Sequence, residues 1–336
     1  IWQAMAEFQL DNLDQAFAAL WRADEHLKLR RPPSRHVFEF NLLYQEALVL
    51  LGVQLPGYDL AQSKRLTSLP PITDKKKRER QEKEWERRDR EQSIRILERL
   101  TGLVPDVPEH WDSLAAQHHK LGRVLTNLDQ MEAACASYEK AVQFRNDLAS
   151  RFPNVLIYRV LLAGSCCNLG STLRDDGKSN AAIPLYSRGE ELLEAALRHN
   201  GEDKMAKEFL RNVYWGRARA LRYLGRYAEA FPDYERAVEL TSSTSEQLQI
   251  REQWSIALAR AERWDAALAQ VAELAKNRNA PGRCLYNCAC VFSLAAAAKS
   301  DDAKLHEQYA VRALELLRSA RDKGFDAIRK FHEDPD

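Results

Sequence analysis

Apolar and small residues fall in a helical stripe that repeats at a fixed interval of 48 residues along the middle of the chain. Leu114, Leu162 and Leu210 share one register, and Leu125, Leu173 and Leu221 share another. Leu121-Gly122 aligns with Leu169-Gly170 and then with Arg217-Ala218. Downstream, Ala134, Ala182 and Ala230 line up, followed by Tyr138, Tyr186 and Tyr234, and by Ala141, Gly189 and Ala237. Upstream, Val104-Pro105-Asp106-Val107 matches Phe152-Pro153-Asn154-Val155. No stretch sustains a period-two alternation, so the stripe predicts helices and not strands. A period of this size predicts a stacked array, each unit burying its apolar face against its neighbours.

Each unit reads as a helix A, a turn and a helix B. Helix B is predicted at Met131 to Ser150 and at Asn180 to His199, and this extra length is expected to account for the long period. Pro184 and Pro232 occupy one register and are expected in the first turn of helix B, or at a small kink, where a missing N–H is tolerated. A shorter fourth unit is predicted at Arg251 to Ala261 and Trp264 to Lys276, and a last pair at Cys284 to Ala298 and Ala303 to Asp322, which Gly324 ends. Ahead of the array, residues 75–90 are almost wholly charged apart from Trp85, with opposite pairs such as Glu79 and Lys83 four apart. They predict a solvated helix running into the stripe of Ile94, Leu97 and Leu100. Residues 1–56 predict N-terminal helical repeats, with Ser34 opening a helix that Gly52 closes, and residues 57–90 a linker with the charged helix. The main array is residues 91–336.

The small-x3-aromatic-x2-small spacing on helix B, with Leu-Gly on helix A, resembles the tetratricopeptide repeat. The residues that carry it are Leu121-Gly122 with Ala134, Tyr138 and Ala141, and Leu169-Gly170 with Ala182, Tyr186 and Gly189. A third unit keeps Ala218, Leu221, Gly225, Ala230, Tyr234 and Ala237, while the fourth departs, with Ser255, Glu262, Ala267, Val271 and Leu274. The resemblance implies an all-α, right-handed superhelical solenoid of antiparallel helix pairs. Glu98-Arg99-Leu100, then Pro105-Asp106-Val107, and the closing Tyr286 to Phe292, Ala313 to Leu317 and Lys323 to Phe325, resemble the C-terminal repeat region of planctomycete-type serine/threonine protein kinases. That resemblance implies a bacterial signalling protein with its kinase domain outside this chain. The chain begins at Ile1 and ends Asp334-Pro335-Asp336, which reads as a piece of something larger.

Charge narrows the partners. Lys and Arg total 50 against 49 Asp and Glu, a net charge of +1, so no general pull toward nucleic acid or anionic membrane is expected. Residues 75–90 could be a basic nucleic-acid contact, but their acids nearly cancel their bases. The apolar run at Cys284–Ala298 is too short to cross a bilayer. Six cysteines without a disulfide spacing read as reduced thiols in the cytoplasm.

Chemistry is sparse. Cys284, Cys288 and Cys290 have the spacing C-x3-C-x-C with no histidine near, which reads as small core residues and not as zinc ligands. His118 falls at a packing position and His119 toward the groove. There is no Gly-rich phosphate loop, His-Arg-Asp or Asp-Phe-Gly, so a non-enzymatic scaffold is expected, without catalytic, cofactor or metal residues. The resemblance implies a concave groove lined by the A helices. The register puts there His119, Arg123 and Asn127, then Arg174, then Trp215, Arg219, Arg222 and Tyr223, and finally Arg260. Five arginines with two aromatics predict an acidic or C-terminal-carboxylate peptide as partner.

Overall fold

The computed structural model describes residues 75–325, which belong to the second of two compact units of the chain, Asp74–Asp336. The expected helical repeats at 1–56 and the linker before residue 75 lie outside the described residues. Among the described residues there are eleven helices and no strand. A charged leader, α1 (Lys75–Leu103), precedes five helix pairs: α2 (Pro108–Asn127) with α3 (Met131–Arg151), α4 (Leu156–Asp175) with α5 (Ser179–His199), α6 (Lys204–Tyr223) with α7 (Tyr227–Glu239), α8 (Thr244–Arg260) with α9 (Trp264–Lys276), and α10 (Gly282–Ala298) with α11 (Ala303–Asp322). The even-numbered helices up to α10 are the A helices. Each packs on its own B helix and on the helix before it, which for α2 is the leader. The described residues form an all-α solenoid of antiparallel helix pairs.

The 48-residue period has a broader origin than a long helix B. Helix A is also stretched, to 20 residues in α2, α4 and α6, beside 21 in α3 and α5. Where helix B shrinks to 13 residues in α7 and α9, the period shortens. Helix α8 starts at Thr244, well before the expected Arg251, because the Ser243 hydroxyl accepts from Glu246 N and caps a turn that carries little apolar signal. Pro184 and Pro232 lie one turn deeper than the first turn, inside α5 and α7. Both are exposed, as are Asn180 and Ala228 four residues earlier, so water can take the carbonyls they leave free.

One turn closes the A helices of the first four pairs. Asp129, Gly177, Gly225 and Glu262 all take left-handed backbone angles, with φ between 59° and 76°. The residue after each donates to the carbonyl five positions back: Gln130 N to Leu125 O at 2.9 Å, Lys178 N to Leu173 O at 2.8 Å, Arg226 N to Leu221 O at 2.9 Å and Arg263 N to Leu258 O at 2.9 Å. This stop satisfies the last helical carbonyls. It also fixes where the side chains at the end of each A helix point.

The interior is built from tyrosines set on small residues. Tyr186 is fully buried between Gly170 of its own unit and Gly216 of the next. Any Cβ at Gly216 would strike its ring, and one at Gly170 would lie 3.1 Å from it. Tyr138 sits in the same way on Gly122, and Tyr234 is fully buried in register with both. Helix α4 is long and apolar enough to cross a membrane by length and composition, yet 56% of that stretch is buried inside the array, through Val160, Leu162, Ala163 and Leu169 among others.

Candidate functional site

Successive A helices touch one another, α4 with α6, α6 with α8 and α8 with α10, whereas no comparable contact joins successive B helices among the described residues. The A helices therefore form the closer-packed layer. Polar pairs bridge their seams. His119 Nε2 and Asn168 Nδ2 are 3.0 Å apart between α2 and α4, Trp215 Nε1 donates to Gln253 Oε1 at 3.0 Å and Arg211 reaches Glu246 between α6 and α8, and Asn287 reaches Glu252 between α10 and α8.

These seams absorb part of the expected groove set. The His119 ring lies edge-on to Tyr138, 5.4 Å between centroids, with Nδ1 3.3 Å from Ser165 Oγ. Burial, then the charges of Arg145, Arg123 and Lys120, push its imidazole down to about 3, so it is a neutral packing group and not a groove cation. Arg145, only 5% exposed, donates to Ser165 Oγ at 2.6 Å and Leu161 O at 3.0 Å, and burial lowers its guanidinium to about 10. Trp215 is half-buried against Gln253. Arg123, Asn127 and Arg260 stay exposed, and Tyr223 is 55% exposed.

The arginines at the ends of α4 and α6 differ in environment. Arg174 is buried: its Nη1 donates to Tyr186 Oη at 3.0 Å, and its Nε and Nη2 fork onto the Asp175 carboxylate at 2.9 and 3.0 Å. Asp175 also stands 3.9 Å from Arg219 Nη2. Arg222 occupies the Arg174 register one unit later, beside the equivalent Tyr234, but the residue after it is Tyr223 and not an aspartate. Its guanidinium lies over the Tyr223 ring, 4.7 Å from the centroid, and its Nε has no partner. The Nε of Arg219 has none either. A cleft of about 310 Å³ opens elsewhere, at the α8–α9 turn, lined by Arg263, Trp264, Lys299 and Tyr309 among others; none of the groove residues lines it.

Residues 118–148 and 212–244 match the family model of the tetratricopeptide repeat. Two stretches of the array are similar to the tetratricopeptide repeat. The matched stretches each hold one buried tyrosine of the array, Tyr138 and Tyr234, and the interval between them contains the Tyr186 copy. No curated protein matches the sequence. Among solved structures, YrrB, described as a TPR protein with an unusual peptide-binding site, is 19% identical, covering 71% of this chain and 97% of its own, with a TM-score of 0.39. BtubC from P. vanneervenii is 15% identical over 73% of this chain and 93% of its own, with a TM-score of 0.45. TTC0263, a thermophilic TPR protein in Thermus thermophilus, is 18% identical over 67% and 91%, with a TM-score of 0.30.

Asp175, Asn168 and Gln253 escape a reading of these repeats by register, which ranks polar residues by type and not by what stands opposite them. A signal for Asp175 is nevertheless present: stepping 48 residues from Arg174-Asp175 gives Arg222-Tyr223, an arginine that keeps its place while its carboxylate is lost.

Proposed function

We propose that the repeats form an interaction scaffold, holding an extended acidic segment of a partner protein along the A-helix face. The reading rests on one observation: Arg219 and Arg222 stand half-buried on that face, each with a buried Nε that no protein acceptor satisfies, beside the exposed Tyr223. Exposed Arg123 and Arg260 flank them along the array. Guanidinium groups recognise carboxylates through paired hydrogen bonds, and an exposed tyrosine adds rigid contact area with few torsions to freeze. Among the described residues no group of three or more His, Cys, Asp or Glu could hold a metal ion, and all six cysteines are free thiols, five of them buried. A reducing bacterial cytoplasm suits such thiols.

The test is a screen of the full chain against peptides of varied charge, including acidic sequences and free C-termini. Binding is expected to concentrate in the acidic members and to be lost in Arg219→Glu and Arg222→Glu. Unchanged binding in both variants removes the reading. The wider setting carried by the kinase resemblance over roughly residues 91–336 is a regulatory or substrate-docking region of a serine/threonine protein kinase; a kinase signature in the parent gene ahead of Ile1 is the observation that decides it.

A further inference from the structure

The second and third repeats differ at one position that changes the charge balance of the groove. In the second, Asp175 neutralises Arg174 through two parallel hydrogen bonds, and Arg174 in turn donates to the Tyr186 hydroxyl. In the third, Arg222 and Tyr234 repeat the arginine and the tyrosine, and the carboxylate is absent. Two consequences are visible. Arg222 lies on the Tyr223 ring with its Nε buried and unpartnered, and the Tyr234 hydroxyl, in a side chain with no exposed surface, makes no well-formed hydrogen bond although Arg222 stands beside it. A buried hydroxyl without a partner is destabilising, and native structures rarely keep one without a reason.

From this asymmetry, and resting on the groove reading above, we infer that Arg222 is a specific carboxylate site, at which a glutamate or aspartate side chain of the partner takes the place that Asp175 holds one repeat earlier. The ligand carboxylate forks onto Nε and Nη2 of Arg222 in the arrangement seen on Arg174. This draws the guanidinium off the Tyr223 ring and turns Nη1 to the Tyr234 hydroxyl, which gains the bond that Tyr186 already has. Arg219 does not compete as the principal site, because Asp175 lies 3.9 Å from it and offsets part of its charge. The turn at Gly225, whose N–H donates to Arg222 O at 3.0 Å, holds the backbone at the end of α6 in place, so only the Arg222 side chain has to move when the ligand arrives.

The comparison that tests this is Tyr223→Asp against Tyr223→Asn in the full chain. Both remove the ring, and only the first supplies an internal carboxylate next to Arg222. Fluorescein-labelled hexaglutamate is titrated and followed by anisotropy, with Ser300→Asp as the control for net charge and circular dichroism for folding. The Asp variant is expected to bind at least about tenfold more weakly than the Asn variant, the loss of one charge-assisted anchor. Ser300→Asp is expected to match wild type. Equal affinity in the two Tyr223 variants overturns the carboxylate site and leaves the groove reading standing. If hexaglutamate fails to bind while other peptides still bind the A-helix face, the site falls alone; if no peptide binds at all, both readings fall. Arg222→Gln gives an independent check and is expected to weaken wild-type binding by a similar factor; unaltered binding overturns the site.

Discussion

His118 and His119 sit side by side on α2, and burial holds both neutral. The His118 ring packs on Phe144, 5.7 Å between centroids, with neither nitrogen bonded. Burial, helped by the nearby Lys140 charge, lowers it to about 4, while His119 is held at about 3. An unfolded chain takes up protons on both rings near about pH 6.5, and the folded one refuses them until far lower. Their contribution to stability is thus complete above about pH 6.5 and is lost progressively as the pH falls toward about 4. The urea midpoint is expected to drop between about pH 7.5 and about pH 5, and to drop less in His118→Phe, which keeps a flat ring against Phe144 and cannot be protonated. An identical pH profile in the variant would show that His118 is not responsible. Charge at the scale of single residues is decided by neighbours in this way throughout the A-helix face. His119 and Arg174 read as groove residues by register, and both are occupied by contacts that register does not reveal.

The elements follow local chemistry closely. Helices α9 and α11 begin and end where the apolar stripe and flanking polar residues place them, at Trp264–Lys276 and Ala303–Asp322. The boundary that was not legible, the start of α8, depends on a single serine cap in a polar stretch. The turns carry their own prediction. Gly177 and Gly225 suit the left-handed angle that closes an A helix, while Glu262 adopts φ 59° with a side chain that disfavours it. Glu262→Gly is expected to stabilise the chain by about 0.5–1 kcal/mol, since the backbone strain outweighs the extra freedom glycine adds to the unfolded state. Thermal unfolding of the variant measures it, and a lower midpoint would show that the strain is already relieved in some other way. The prolines in α5 and α7 show the limit of element rules. Their exposed faces let them sit one turn deeper than the first turn, and exposure is a property of the stack and not of the helix.

At the scale of the whole array, repeats hold one another by close contacts across seams, so one substitution can uncouple neighbours without unfolding either locally. The seam between the second and third repeats is the most exacting. Tyr186 fills the space over Gly216, and close by Arg217 forks onto Asp233 at 2.8 and 2.7 Å while also reaching Glu190, tying α5, α6 and α7 together. Asp233 is buried, so removing its partner leaves a desolvated carboxylate with nothing opposite. Arg217→Met is expected to destabilise by about 3–5 kcal/mol. Hydrogen exchange is expected to show the loss concentrated in α5 to α7; a loss spread evenly from α2 to α11 would mean that the array unfolds as one block.

The sequence alone determined the class of the molecule, because spacing of small and aromatic residues is a local signal that survives without knowing what each helix touches. It marked the register of the A-helix face and the tyrosines beneath it for the same reason. Only the tertiary structure decided which polar side chains on that face are already satisfied, since a hydrogen bond across a seam joins residues tens of positions apart, as Trp215 and Gln253 do. Arg174 and Arg222 are indistinguishable as letters; folding sets one against an aspartate and a tyrosine hydroxyl, and leaves the other over an aromatic ring with its Nε unmatched.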